Sequence, residues 1–261
     1  MLKKRELLAG LALLPLATPA LAQEYPSRPI RLLVGFAAGG STDVFARAIA
    51  PRLQALLGQP VVIENRPGAG GNIATEATVR SAPDGYTLLL GTIGPLAINP
   101  TLYGNLAFDP LKDLTPVSLV GEVPNVLAVP ADRPYRSVAD IIAAAKARPE
   151  ALNFGSSGIG SAGHLAAEQL NLMAGIRTTH VPYRGGGALL PELVAGRVDY
   201  AFTTALNGIP QAEAGKLRIL GVPNGKRVPL LPDIPTIAES GLPGFDGVDW
   251  AALMAPPGLP A

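Results

Sequence analysis

Short apolar runs alternate with amphipathic stretches along most of this chain, and glycine-rich turns join several of the runs to the stretch that follows. The clearest case is the apolar run Ile30–Phe36, which a turn connects to the helix-period pattern of Ser41–Leu57. A buried strand followed by a helix is the repeating unit of α/β proteins, in which helices cover a parallel sheet. The alternation therefore predicts an α/β fold with parallel sheets.

The same patterns predict two series of elements. The first series has strands at 30–36, 61–63 and 86–91, with helices at 41–57 and 73–81. The second series begins near Val117, with strands at 126–129, 152–155, 180–182, 199–203 and 217–222, and helices at 137–147, 161–174 and 188–195. A last strand is expected at 248–254. Ser41 or Thr42 is expected to cap the first helix, and Ser137 the helix at 137–147.

The N-terminus has the three parts of a secretory signal peptide. Residues 1–22 contain a basic start, the apolar stretch Leu7–Leu16 and the small-residue exit Ala20-Leu21-Ala22. The apolar stretch is too short to span a bilayer comfortably. We therefore expect a mature, soluble periplasmic protein that begins at residue 23.

The composition excludes several classes of function. The chain has no cysteine and two histidines in 261 residues, which excludes thiolate nucleophiles, iron–sulfur clusters and histidine-rich metal cages. Basic and acidic residues number 21 and 20 and aromatic residues make up 5%, so we expect no nucleic-acid partner. The acidic residues show no pairing that would indicate acid–base catalysis. We expect no metal, no cofactor and no enzymatic activity.

The turn Gly35–Asp43 joins the first predicted strand to the first helix. Its glycines let the backbone approach a ligand, and the start of the helix offers unpaired N–H groups and a dipole that favour an anion. A tight turn with a Ser or Thr cap explains the same residues. Asp43 fits both interpretations, because it can stabilise the helix start or meet a ligand ammonium or a bridging water.

A second turn of the same kind is Gly155–His164, which contains the dinucleotide pattern Gly158-x-Gly160-x-x-Gly163. The acidic residue that this fingerprint requires is absent from Arg177–Arg184, so the nucleotide interpretation is rejected. No serine of the turn lies in a G-x-S-x-G elbow. Anion binding remains, with hydroxyls from Ser156, Ser157 and Ser161. His164 can donate to a ligand or be a packed histidine.

Two further turns are weaker candidates. Arg184 precedes Gly185–Gly187 and can form a carboxylate fork, although a surface arginine is the commoner outcome. The loop Asn65–Asn72 fits a turn that orients the second helix. The two strand-to-helix turns open different α/β units, so facing helix N-termini would form an anion clamp across a cleft.

These residues resemble the Bug family, the extracytoplasmic solute receptors of tripartite tricarboxylate transport systems. The resemblance covers essentially all of residues 24–261. It is carried by Tyr25-Pro26-x-Arg28-Pro29-Ile30, Gly39-Gly40-Ser41-Thr42-Asp43, Glu64-Asn65-Arg66-Pro67-Gly68-Ala69-Gly70-Gly71, Ser81-x-Pro83-Asp84-Gly85-Tyr86-Thr87, Asn99-Pro100-x-Leu102-Tyr103, Val181-Pro182-Tyr183-Arg184-Gly185 and Leu231-Pro232-Asp233-Ile234-Pro235-Thr236.

The resemblance implies a two-domain Venus flytrap like that of type II periplasmic binding proteins. It implies domain 1 at 23–120 and 224–261, and domain 2 at 121–223. The implied ligand is a small di- or tricarboxylate or a related organic acid, held by main-chain groups and ordered water. The implied ligand-binding residues, which include cleft-lining hydroxyls at two strand ends, are Phe36, Gly39, Gly40, Ser41, Thr42, Asp43, Thr92, Ser156, Ser157, Gly160, Ser161, His164 and Thr203.

Two features depart from the family pattern. Arg184 stands where the family usually has Lys. Family members also continue beyond the motif Trp250-x-x-Leu253-x-Ala255-Pro256 into a helix-rich C-terminal segment, which is expected to be missing here and to leave apolar surface exposed on domain 1.

The expected mechanism is capture by closure of the domains. The chain is expected to cross between them near Val117–Val129 and again near Leu220–Pro223, forming a hinge. A bound carboxylate would shift the population toward the closed form, which a membrane permease of the tripartite tricarboxylate type would recognise. We expect a monomer. Two alternatives stay open: a receptor that acts on a sensor kinase, and a serine hydrolase built on Ser161 and His164, which lacks an acid to orient the histidine.

Overall fold

The computed structural model describes residues 25–259, so the predicted signal peptide lies outside the described residues. No helix in this part of the chain is long and apolar enough to cross a membrane. Short turns of 3₁₀ and π helix occur at Ala69–Gly71 and Gly94–Ile98. The strands and helices are β1 (Ile30–Val34), α1 (Ser41–Leu57), β2 (Val61–Asn65), α2 (Asn72–Val79), β3 (Thr87–Thr92), α3 (Asn99–Leu102), β4 (Thr115–Glu122), β5 (Asn125–Pro130), α4 (Val138–Ala147), β6 (Asn153–Ser156), α5 (Ala162–Ala174), β7 (Thr179–Pro182), α6 (Gly186–Val194), β8 (Tyr200–Thr204), α7 (Ala205–Glu213), β9 (Leu217–Gly221) and β10 (Trp250–Ala255).

The first unit is a five-stranded sheet in the order β2-β1-β3-β10-β4, with α1, α2 and α3. Successive residues of a strand point to opposite faces, so an unbroken apolar run is buried only if helices cover both faces. Strand β1 meets this condition. Leu32 packs in one apolar cluster with Ala46 of α1, and Leu33 packs in another with Ala74 of α2.

The second unit is a five-stranded sheet in the order β7-β6-β8-β5-β9, with α4 to α7. Strand β5, which lies between β8 and β9, is buried on both faces in the same way. Leu127 packs with Ile141 of α4 and Leu170 of α5, whereas Val126 packs with Leu193 of α6. Helices therefore cover both faces of each sheet.

The expectation of parallel sheets is wrong for part of each sheet. Strand β1 pairs in parallel with β2 and β3, and β6 pairs in parallel with β7 and β8. Strand β10, however, is antiparallel to β3 and β4, and β5 is antiparallel to β8 and β9. Strands β5 and β10 each follow a passage of the chain from one sheet to the other. Their direction is therefore set by that passage, whereas a local βαβ unit would make a strand parallel to its neighbour.

Two local expectations differ from the structure. Neither Ser41 nor Thr42 caps α1, because its N-cap is Gly40, which has no side chain. Helix α7 was not predicted, because Gly208 and Pro210 are the poorest helix formers. Packing favours glycine at position 208, because a Cβ there would lie 2.7 Å from a Val126 methyl carbon. The predicted Ser137 cap is confirmed: the Ser137 hydroxyl accepts from the N–H of Asp140, and the Asp140 carboxylate accepts from the N–H of Ser137.

The chain passes between the sheets at two places that touch each other. The first passage lies between Glu122, the end of β4, and Asn125, the start of β5. The second lies after Phe245, which packs in the apolar cluster of the second sheet, and before Trp250. It therefore comes later than the expected crossing at Leu220–Pro223. The N–H of Val123 donates to the carbonyl of Asp249 at 2.9 Å and joins the two passages.

The predicted domain boundaries stay a prediction. The structure adds that Ile237, Leu242 and Phe245 pack with the second sheet, although they belong to the segment assigned to domain 1. On the first sheet, Leu111 and Leu119 are 89% and 68% exposed beside an apolar groove of about 520 Å³. Exposed apolar surface is therefore present on the unit where it was expected.

Candidate functional site

A small polar cavity of about 40 Å³ lies between the two units. Both the first and the second glycine-rich turn contribute to its wall. A larger outer groove of about 480 Å³ shares Phe36 and Ser157 with it. The lining residues of the cavity are Phe36, Gly40, Ser41, Thr42, Thr92, Asn125, Ser157, Ser161, Ala162, Gly163, Gly186, Leu189, Phe202, Thr203, Thr204, Asn207 and Asp249.

Four helices begin at this cavity. Gly40 and Ser41 start α1 in the first unit, whereas Ser161 and Gly186 lie at the starts of α5 and α6 in the second unit. The first N–H groups of a helix have no partner within the helix, and the helix dipole places a partial positive charge there. Helix α7 also begins here, but the N–H of Ala205 is already bound to a carbonyl outside the cavity. The cavity therefore attracts an anion through the backbone of three helices.

In the first turn, Asp43 holds the loop and does not line the cavity. It is 2% exposed, and its carboxylate accepts hydrogen bonds from the N–H of Gly39 at 2.9 Å, from Arg47 at 2.9 and 3.0 Å, and from Asn65 at 3.0 Å. Burial raises the pKa of Asp43, but these hydrogen bonds outweigh burial and bring the pKa below its ordinary value. These contacts fit the role in which Asp43 stabilises the helix start, and its contact with a ligand stays a prediction.

Two other predicted residues lie near the cavity without lining it. Gly39 has a φ of +76° and lets the first turn bend before α1. Gly160, in the second turn, packs against Asn99 of the first unit. The predicted residues that do line the cavity are Phe36, Gly40, Ser41, Thr42, Thr92, Ser157, Ser161 and Thr203. Their role in ligand binding stays a prediction.

Ser156 and His164 also do not line the cavity. Their side chains make hydrogen bonds that hold the second turn in place. The Ser156 hydroxyl is fully buried, donates to the carbonyl of Gly158 at 3.1 Å and lies 2.6 Å from Nε2 of His180. The ring of His180 stacks against those of Phe154 and His164, with centroid separations of 4.8 and 4.1 Å. Burial and then the neighbouring His164 lower the pKa of His180 to about 4.

The geometry does not support the serine hydrolase alternative. The hydroxyl of Ser161 accepts a hydrogen bond from the backbone N–H of His164 at 3.3 Å, as a helix cap does. The ring atom Nδ1 of His164 accepts from the N–H of Gly160 at 3.2 Å. The serine hydroxyl and the imidazole thus have separate partners. Residues 25–259 contain no group of three or more side chains that could hold a metal ion.

The far wall of the cavity is polar and was missed by the sequence analysis. Asn125 begins β5, Asp249 precedes β10, and Asn207 lies on α7. Nδ2 of Asn125 approaches the Asp249 carboxylate at 3.4 Å. Burial raises the pKa of Asp249 to about 6, against the opposing effect of hydrogen bonds from Asn125 and Trp250. No sequence motif marks these residues, because the fold assembles them from segments far apart in the chain.

Two hydrogen bonds and a close backbone approach join the two units beside the cavity. The N–H of Ala37 donates to the carbonyl of Arg184 at 3.3 Å, and the Tyr103 hydroxyl donates to the carbonyl of Ile159 at 3.2 Å. A Cβ on Gly187 would lie 2.7 Å from the carbonyl oxygen of Ala38. We call these contacts, between residues 37–40 and 184–187 and between Tyr103 and Ile159, the closure seam. Arg184 thus acts here through its carbonyl group.

Comparison with known proteins identifies the family. The family model described as "Tripartite tricarboxylate transporter family receptor" matches residues 45–261. The protein BugT of Bordetella pertussis is 42% identical over 244 residues, which cover 93% of this chain and 75% of BugT. A UPF0065 protein from the tcbD-tcbE intergenic region of Pseudomonas sp. strain P51 is 38% identical over 98% of this chain and 77% of its own length.

Solved structures share the fold. An R. palustris protein solved with adipate superposes with a TM-score of 0.88 at 42% identity, covering 91% of this chain and 80% of that protein. MatC of Rhodopseudomonas palustris with bound malate superposes with a TM-score of 0.86 at 37% identity, covering 90% of this chain and 80% of MatC. The periplasmic binding protein BugD gives 0.87 at 36% identity, covering 90% and 79%. The predicted periplasmic-binding-protein fold and the predicted resemblance are confirmed. The chain belongs to the family of tripartite tricarboxylate transporter receptors, which includes the Bug proteins, and it is a receptor rather than an enzyme.

Proposed function

We propose that this receptor captures a small carboxylate, a di- or tricarboxylate or a related organic acid, in the cavity between its two units. The observation that carries the proposal is the meeting of three helix N-termini from both units at one cavity. No Lys, Arg or His is among the described residues that line this cavity, so the backbone provides the attraction for an anion. The relatives solved with adipate and malate support a carboxylate ligand.

We propose capture by closure. The cavity of about 40 Å³ is far smaller than the several hundred Å³ usual for small-molecule pockets, so a carboxylate of several carbons enters only when the units move apart. Ser41 and Ser161 belong to different units, and a ligand that contacts both favours the closed form. The closed receptor then presents its cargo, in the periplasm and as a monomer, to a membrane permease of the tripartite tricarboxylate type.

The proposal is tested by calorimetry and thermal melting of the mature protein with mono-, di- and tricarboxylates. A ligand at about 100 times its Kd stabilises the fold by about 2.7 kcal/mol, so binding raises the melting temperature. Stabilisation by none of the carboxylates tested, together with no calorimetric binding, would overturn the proposal.

Two proline substitutions test the backbone donors directly. Ser41 and Ala162 are the first residues of α1 and α5, where proline fits a helix and removes one N–H group. The residues before them, Gly40 and Ser161, have the extended backbone that proline requires. We expect Ser41→Pro and Ala162→Pro each to weaken carboxylate binding about tenfold. Ser41→Ala keeps the N–H group and is the matched control for the hydroxyl.

A sensory role would use the same cavity. We propose transport because the matching family model describes a transporter receptor. Co-purification of the ligand-bound receptor with a tripartite permease supports transport, whereas co-purification with a sensor kinase alone would overturn it.

A further inference from the structure

One side chain on the cavity wall is unsuited to holding an anion. Asp249 carries the only ionisable side chain among the described residues that line the cavity. Its Oδ1 accepts from the N–H of Trp250 at 2.9 Å, and its Oδ2 has a long contact of 3.4 Å with Nδ2 of Asn125. A carboxylate offers about four acceptor positions, so Asp249 keeps acceptor capacity that these neighbours leave unused.

Two other polar atoms of the lining residues have no hydrogen-bond partner among the described residues. They are Nδ2 of Asn207 and Oγ1 of Thr204. Asn207 is 7% exposed, so bulk solvent does not replace the missing partner. A buried donor without a partner is costly, which favours a ligand that supplies an acceptor there. The cavity thus combines unpaired donors with one unsaturated acceptor group.

This combination discriminates between carboxylates. An unsubstituted carboxylate brings only acceptors and negative charge, which the helix N-termini and Asn207 accommodate but Asp249 repels. A hydroxyl or an ammonium beside the carboxylate supplies the donor that Asp249 lacks, and an ammonium also neutralises its charge. The Asp249 carboxyl belongs to neither glycine-rich turn, so its effect is separate from that of the anion clamp.

We propose that Asp249 determines specificity by accepting a hydrogen bond from a donor group on the ligand, so that the receptor prefers carboxylates bearing a hydroxyl or an ammonium to unsubstituted ones. This inference rests on the proposed function, because it assigns the same cavity a narrower class of ligand. Hydroxyl and ammonium groups share the donor chemistry, and the experiment below separates them.

The test is isothermal calorimetry at neutral pH with succinate, L-malate and L-aspartate, which differ in the substituent on one carbon. We expect the wild-type receptor to bind malate or aspartate about tenfold or more tightly than succinate. Asp249→Ala should weaken binding of malate and aspartate, so that the ratio of their affinity to that for succinate comes close to one. Asp249→Asn keeps an oxygen acceptor but no charge, so it should retain a preference for malate and lose one for aspartate. Asp246→Asn, at an exposed acid that does not line the cavity, is the matched control.

The outcomes are distinct. The inference is overturned, and the proposed function left intact, if both Asp249 variants keep the wild-type ratio of affinities for substituted and unsubstituted ligands. Tight succinate binding that Asp249→Ala weakens would show Asp249 acting as a proton donor toward the ligand and would also overturn it. Binding of none of these three dicarboxylates by the wild-type protein would overturn this inference, and binding of none of the carboxylates in the wider screen would overturn the proposed function as well. Melting curves establish that each variant is folded.

Discussion

The backbone N–H of Ala37 in the first unit donates to the carbonyl of Arg184 in the second unit, 3.3 Å away. This hydrogen bond joins the turn that starts α1 to the turn that starts α6, and both of these helices begin at the cavity. The contact is possible because small residues allow the two backbones to come close together. The proposed closure and the proposed ligand contact therefore involve the same two turns.

The first prediction concerns Gly187→Ala. The new Cβ would lie 2.7 Å from the carbonyl oxygen of Ala38, so the variant cannot close as the wild type does. We expect carboxylate affinity to fall at least tenfold and small-angle scattering with ligand to show a more open protein. In the open form alanine is the better helix former by about 1 kcal/mol, so the ligand-free melting temperature should not fall. Unchanged affinity, or a variant that closes normally, would contradict the role of the closure seam.

The second prediction concerns Asp43→Asn. An amide cannot accept from Gly39, Arg47 and Asn65 together, so donors around the buried position 43 lose their partner. We expect a loss of roughly 1–3 kcal/mol in the free energy of unfolding, measured by urea denaturation. The exposed partner of the same ion pair gives the control, because Arg47→Ala should cost less than Asp43→Asn. An equal loss in the two variants would show that the ion pair, and not the loop, is what Asp43 stabilises.

The third prediction concerns His180 and pH. Its pKa is lowered from 6.5 to about 4 in the fold, so between these values the unfolded chain binds a proton that the folded protein does not. The contribution of His180 to the free energy of unfolding is therefore expected to fall as the pH is lowered from about 6.5 to about 4. Melting temperatures across this range should decline less in His180→Asn than in the wild type. Parallel profiles would exclude His180 as the source of the decline.

The fourth prediction concerns the stability effect of Asp249. Its pKa is raised from 3.8 to about 6, so over this range the folded protein binds a proton that the unfolded chain has lost. The contribution of Asp249 is favourable below pH 3.8 and is lost as the pH rises through about 6. We expect Asp249→Asn to melt at a higher temperature than the wild type at pH 7–8, and the difference to vanish near pH 4. A lower melting temperature for the variant at pH 8 would contradict this.

The sequence allowed the units and the two turns to be predicted, because both are written in local patterns. Apolar periodicity marks β1 and α1, and Ser161 stands where a capping residue is expected. The antiparallel strands and Asp249 could not be predicted in the same way. Strand β10 takes its direction from the passage between sheets, and Asp249 meets Asn125 although 124 positions separate them. Helix α7 could not be predicted because Gly208 and Pro210 are poor helix formers, and Asn207, which lies on that helix, was therefore not predicted either.

The hydrogen bond from Val123 to the carbonyl of Asp249 places Asp249 where the two passages between the sheets meet. If the units swing about this junction, the atoms nearest to it travel least, and the tips of the turns travel most. Asp249 is then in position before the turns arrive. An incoming solute would contact Asp249 first, and the two glycine-rich turns would close on it afterwards. A solute without the matching substituent would dissociate before the units close. For a solute with that substituent, the closure seam would set the rate of dissociation from the closed form.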